Sequence, residues 1–310
     1  MELFSRRVLL VTGKGGVGKT TLTAALARLL AYSGKRVLVA EVASEVGEPS
    51  ALAEALGAPG SSEQPIELER RIRAVRMTPS AGHRGFLHDT LRVRLLAEAA
   101  MRSHAIRRFL TAAPAFSEMG VLYRLLELLR QKRPDGSPEF EAIVVDTPAT
   151  GHALAIAELP EVLLKIIPGG PIGSAVREGL SLMTDACHTG AIVVTLPETL
   201  PVTEAIELIS GLKRRKVPLT ALVVNRMPQD PFTEVERGHA ERINAAEGPL
   251  FGARAMQRLE RARAAYARLQ AEVGLPVGIV PDLAATGPEL TETIALTWRG
   301  LEARHEAANE

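Results

Sequence analysis

The sequence predicts an α/β protein, a mostly parallel sheet flanked by helices, and two observations carry that expectation. The first is a set of short apolar, β-branched runs: RRVLLVTG (6–13), KRVLVAEV (35–42), RIRAVRM (71–77), FEAIVVDT (140–147), GAIVVTL (190–196), LTALVVN (219–225) and PVGIVPD (276–282). These runs are continuous rather than alternating, which suits strands buried on both faces. The second is the helical spacing between them, as in TTLTAALARLLAYSG after the first run, EAIELISGLKRR (204–215) and ARAMQRLERARAAYARLQAEVG (253–274). Strand and helix alternate through most of the chain, so the crossovers should be right-handed.

One stretch departs from this alternation. From about Ala81 to Gln131 the sequence is rich in Leu, Ala and Arg at helical spacing and offers no strand, so it reads as a helical insertion. Between Gly60 and Asp135 there are 14 Lys and Arg against 8 Asp and Glu, which marks either a solvated helix face or a functional basic surface. The turn-rich RPDGSPEF (133–140) returns the chain to the sheet, and a second apolar segment, 159–183, adds to the helical part. Residues 1–310 therefore read as one domain carrying a helical subdomain from about 81–131 plus about 159–183.

Composition narrows the function classes. With 46% hydrophobic residues over 310 positions the chain can bury a full core. Its 37 basic and 36 acidic residues nearly cancel, so no nucleic-acid partner is expected. One cysteine, Cys187, excludes an internal disulfide and a thiolate-rich metal site within one subunit, and it fits a reducing cytoplasm. No apolar stretch reaches the roughly 18 to 20 residues of a membrane span.

The chemistry concentrates in Gly13-Lys14-Gly15-Gly16-Val17-Gly18-Lys19-Thr20-Thr21, which follows a predicted strand and opens a predicted helix. The pattern G-x-x-x-x-G-K-[ST] in that setting is a phosphate-binding loop, so the fold expected is that of a P-loop NTPase. Its glycines let backbone N–H groups face phosphate oxygens, and the helix adds its positive end. Lys19 is expected to neutralise the β- and γ-phosphates and Thr20 to ligate Mg²⁺. A second metal ligand should lie at the end of another buried strand, and EAIVVDTPATGH supplies Asp146. ATP and Mg²⁺ are the cofactors expected.

These residues carry a resemblance. GKGGVGKTT, with a second lysine, resembles the deviant phosphate loop of a group that includes the arsenical pump-driving, tail-anchored protein targeting, septum-positioning and plasmid-partition ATPases. DTPATGH with the later LP (159–160), then VVTLPETLPVTEAIELI (193–209) and VVNRMPQ (223–229), is similar to the first two kinds specifically. The resemblance implies a dimer enclosing two ATP molecules, a homodimer or a heterodimer with a related ATPase, in which Lys14 reaches the partner's nucleotide. It implies that Asn225 reads adenine, where the residues alone also allow an amide capping a strand end, and that Pro281 and Asp282 line the base pocket. It further implies a protein partner, with a membrane-protein segment as one candidate cargo. The insertion's apolar stripe, with Met101 and Met119, reads either as core or as a groove for such cargo.

Two departures qualify the resemblance. The position aligned with the water-activating aspartate of those ATPases is Ala43, so hydrolysis is expected to be slow. Glu41 is the nearest catalytic candidate, and Glu45 and Glu48 are alternatives, although Glu41 also reads as a strand-end group. The single cysteine cannot form the three-thiolate arsenite site or the C-x-x-C zinc site of relatives. His152 reads as a brace for its turn rather than as a catalyst. Two rival functions stay open at this point: a nucleotide-dependent scaffold that does not hydrolyse, and a partition-type ATPase.

Overall fold

Successive residues of the apolar runs face opposite sides of one sheet. Val8, Leu10, Leu38, Ala40, Ile143 and Val145 enter one core layer, and Leu9, Val11, Val37, Val39, Ala142 and Val144 enter the other. That two-sided burial is why the runs do not alternate. The computed structural model describes residues 5–43, 49–58, 60, 62–90, 114–148, 164, 169–230, 232–247 and 252–309.

The strands are β1 (Val8–Gly13), β2 (Val37–Val42), β3 (Ile66–Glu69), β4 (Ile72–Met77), β5 (Ala142–Asp146), β6 (Thr189–Thr195), β7 (Leu219–Met227) and β8 (Val277–Pro281). They lie in the order β3-β4-β2-β5-β1-β6-β7-β8. Every pairing is parallel except β3 with β4. Helices α1 (Lys19–Tyr32), α2 (Ala51–Ala55) and α9 (Gly287–Asn309) are on one face. On the other lie α4 (Pro114–Arg130), α5 (Gly170–Thr184), α6 (Thr199–Arg214) and α8 (Ala253–Glu272), with α3 (Pro79–Thr90) against α4 and α7 (Glu234–Glu247) before α8. The predicted α/β class with a mostly parallel sheet is the observed one.

Three differences from the sequence reading have physical causes. Strand β3 was not expected: IELE is short, half-polar and at the edge, and its turn to β4 is Arg70-Arg71, with Arg71 at φ 69° and no glycine to announce it. Strand β8 is an edge strand, not one buried on both sides, and Ile279 is 42% exposed. The helical stretch after β4 begins at Pro79 rather than Ala81.

Tight joints fix the layers. In α1 the buried Arg28 donates to Glu69 at 3.1 and 3.2 Å and to the Pro288 carbonyl at 2.6 Å, so one cation ties α1 to β3 and α9. Helices α3 and α4 meet backbone to backbone, where a methyl group on Gly82 would sit 1.7 Å from the Gly120 carbonyl oxygen. Met119 of α4 is 7% exposed and packs as core. Met101, His152, Glu45 and Glu48 lie outside the described residues. Among the described residues no helix is long and apolar enough to cross a membrane.

Candidate nucleotide site

Strand β1 sits between β5 and β6, so the loop leaving its C-terminal end opens at the point where the sheet's connections diverge. The loop closes onto α1 through Gly18, at φ 90°. Any side chain there would strike the Asn225 amide, whose nitrogen would be 2.2 Å from an added Cβ. No side chain caps α1 and no acidic residue occupies its first turn, which keeps its first N–H groups available to an anion. Gly13, Gly15, Gly16 and Val17 form the rest of the turn, with Val17 anchored in the core at 1% exposure.

Lys19 is buried, and its ammonium donates to the Lys14 carbonyl at 2.9 Å, curled inside its own loop. Burial pulls its pKa down and the charge of Asp146 pushes it back up. Thr20 donates its hydroxyl hydrogen to Asp146 Oδ2 at 2.6 Å. Thr21 follows on the first turn of α1.

Asp146, the last residue of β5, is 6% exposed. Its pKa is pushed up to about 6, chiefly by burial, against the opposing pull of the Thr20 hydrogen bond and Lys19, with Glu41 adding to the rise. Its Oδ1 is buried without a hydrogen-bond partner. An orphaned carboxylate oxygen beside a threonine hydroxyl is the hard-oxygen donor set that suits Mg²⁺, which takes one or two protein oxygens and completes its shell with phosphate and water. No group of three or more His, Cys, Asp or Glu that could hold a metal ion occurs among the described residues.

The raised pKa fixes a sign for stability. Because the folded carboxyl titrates above its usual 3.8, its contribution to stability is fully present below that value and is lost as pH rises through about 6. The separation corresponds to about 3 kcal/mol. Asp146→Asn is therefore expected to melt higher than the unaltered protein at neutral pH, the gap closing toward pH 4. Thermal melts across that range in metal-free buffer check it, and equal melting at neutral pH would contradict it.

Glu41 pairs in register with Asp146 across β2 and β5. Its carboxylate accepts from the Ser50 hydroxyl at 2.6 Å, and the buried Arg76 Nε lies 4.0 Å away. Ser50 also caps α2, so Glu41 is braced by the segment that follows it. Ala43 follows β2, its N–H bonded to the Met77 carbonyl.

The remaining candidates take unexpected partners. Lys14 is ion-paired within its own chain to Glu204 of α6, whose second carboxylate oxygen is buried and without a hydrogen-bond partner. The buried Asn225 amide donates to the Val17 carbonyl at 2.8 Å and accepts from the Arg226 N–H at 3.0 Å, bracing the loop from β7. Asp282 pairs with Arg258 of α8 at 3.2 Å, and its N–H bonds the Met227 carbonyl, which sets Pro281 beside Met227. Cys187 is exposed. Sequence reasoning did not single out Glu204, Ser50 or Arg76, because it gave Lys14 to a partner's nucleotide and no local pattern marks these pairings.

A glycine-rich loop between the central strand and its helix, ending in a threonine beside a buried aspartate, defines a P-loop nucleotide-binding protein. A family model described as anion-transporting ATPase matches residues 6–168, and the chain belongs to this ArsA ATPase family. It is 31% identical over 225 residues to the ATPase BagA of Mycobacterium tuberculosis, covering 71% of this chain and 65% of that protein. It is 29% identical over 241 residues to the arsenical pump-driving ATPase of Acidiphilium multivorum, covering 75% of this chain and 36% of that one. The chain thus spans slightly less than two thirds of the mycobacterial relative and about a third of the other.

Proposed function

We propose that the chain is a Mg²⁺-dependent ATPase acting as a dimeric switch, whose nucleotide state controls a protein partner. The observation that carries this reading is the Thr20–Asp146 pair with its orphaned Oδ1, set at the end of a loop already closed around Lys19. In this reading Lys19 and the amides of Gly13, Gly15, Gly16, Val17 and Gly18 hold phosphates, while Thr20 and Asp146 hold the metal. Bound there, Mg²⁺ would neutralise charge developing on the β- and γ-phosphate oxygens. Thr21, Asn225, Pro281 and Asp282 flank the nucleotide, and Asn225 keeps Val17 in place as it does so. Lys14 exchanges Glu204 for phosphate on the partner's nucleotide when two copies close. The helical segment around α3 and α4 is the proposed contact for a protein partner or hydrophobic cargo, and the cytoplasm is the proposed site of action.

Glu41 is the proposed positioning group for the attacking water, because it stands beside Asp146 and is held by Ser50. Ala43 supports a second reading, a nucleotide-dependent scaffold without turnover. Single-turnover reactions with Mg²⁺-ATP separate the two. Phosphate release that Glu41→Gln slows by about tenfold or more supports the enzyme, and tight binding without release supports the scaffold.

A further inference from the structure

Beyond the phosphate loop, a second concave site of about 680 Å³ opens between the start of α6, the end of β7 and the first half of α8. Four arginines line it: Arg226 from the β7 end, and Arg254, Arg258 and Arg261 from one face of α8. Glu198 is the one acidic side chain in the lining. Arg258 is answered by Asp282, whereas Arg226, Arg254 and Arg261 pair with no carboxylate among the described residues.

This arrangement is costly by itself. Arg254 and Arg258 are four residues apart on α8, and Arg258 and Arg261 three apart, spacings at which like charges destabilise a helix. Arg254 also stands in the first turn of α8, where the helix dipole is positive and neither an acidic residue nor a side-chain cap offsets it. Arg226 sits at φ 55°, an uncommon conformation for a residue with a side chain, and the Asn225 side chain holds its N–H there. A ligand with several negative groups close together relieves both electrostatic costs on α8 at once.

We propose that this pocket binds a compact oligophosphate at a second anion site, separate from the phosphate loop. Arginine forks grip phosphate oxygens in pairs, and three of them on one helix face with a fourth on the opposite wall suit several phosphates in one small molecule. The volume falls within the usual range for small ligands, and the site is a hollow rather than a stripe that tracks a strand of nucleic acid. Its position also gives it a route to the nucleotide. Arg226 is bonded through Asn225 to Val17, so a ligand drawing on Arg226 bears on the loop that Asn225 braces.

The test uses tripolyphosphate as the probe and the 310-residue chain carrying Lys19→Ala, so that the phosphate loop contributes little. Calorimetry is expected to find one site per chain, weakened by salt. Arg254→Gln with Arg261→Gln in that background should lower affinity at least tenfold, while the ligand-free variant melts no lower than its parent because the like-charge cost on α8 is reduced. Arg254→Lys with Arg261→Lys, which keeps charge but not the fork, should retain part of the binding. Absence of binding to Lys19→Ala protein, or binding indifferent to the two arginines, overturns the proposal. So does short duplex DNA that displaces tripolyphosphate at lower concentration than free oligophosphate, which would make the patch a nucleic-acid surface. ATP turnover by the unaltered chain reads the phosphate loop separately, so turnover without the second site overturns this inference alone.

Discussion

Lys19→Ala is expected to lower ATP hydrolysis by about two to three orders of magnitude, with the fold intact. The argument starts from what the ammonium touches. It is buried at the loop, accepted by the Lys14 carbonyl at 2.9 Å, and destabilised as a cation by that burial. A charge kept in such surroundings is held in place before phosphate arrives, so little reorganisation remains when negative charge builds up during transfer. Removing it also removes a desolvation cost, so the variant should melt no lower than the parent. Phosphate release under single-turnover conditions, together with a thermal melt, gives both readouts. A rate within a few-fold of the parent would show that the loop is not where the chemistry occurs.

Exchanges at Lys14 and Glu204 are expected to move ATP-dependent dimerisation in opposite directions. Lys14→Ala should abolish it, because the proposed bridge to the partner's nucleotide is gone. Glu204→Gln should tighten it, because the carboxylate that holds Lys14 in its own subunit no longer competes. The ion pair is part exposed, with side-chain exposures of 38% and 25%, so its hold is worth about 1 kcal/mol or less after screening. Because two such pairs break when the dimer forms, a tightening of about tenfold to twenty-fivefold follows. Sedimentation velocity with a non-hydrolysable ATP analogue measures both variants. If Glu204→Gln weakens association as Lys14→Ala does, Glu204 supports the dimer instead of restraining it.

The candidate site was legible in the sequence wherever its geometry is local. Gly13 to Thr21 can be recognised because a tight turn, a helix start and a lysine must follow one another along the chain. Asp146 could be found because the last residue of a buried apolar run is displayed at the sheet's C-terminal edge, and the structure places it beside Thr20. Glu204 was not legible, for it lies 190 residues from Lys14 on an ordinary amphipathic helix. Nor was the arginine pocket, since charges at helical spacing read as solvated surface until α6, β7 and α8 are brought together around them.

The sequence alone determined the α/β class, the parallel core strands and the phosphate loop, because each depends on residue types in a short stretch. Burial on both faces demands continuous apolar runs, and a phosphate turn demands glycines. Beyond the Thr20–Asp146 pair, tertiary structure alone decided which partners the polar side chains take. It put Asn225 on Val17, Lys14 on Glu204, Arg28 on Glu69, and left Asp146 Oδ1 buried without a partner. Pairings of that kind are set by strand order and helix placement over separations of tens to hundreds of residues. No local pattern encodes them, because the partner of a charged side chain is chosen by where the backbone brings it.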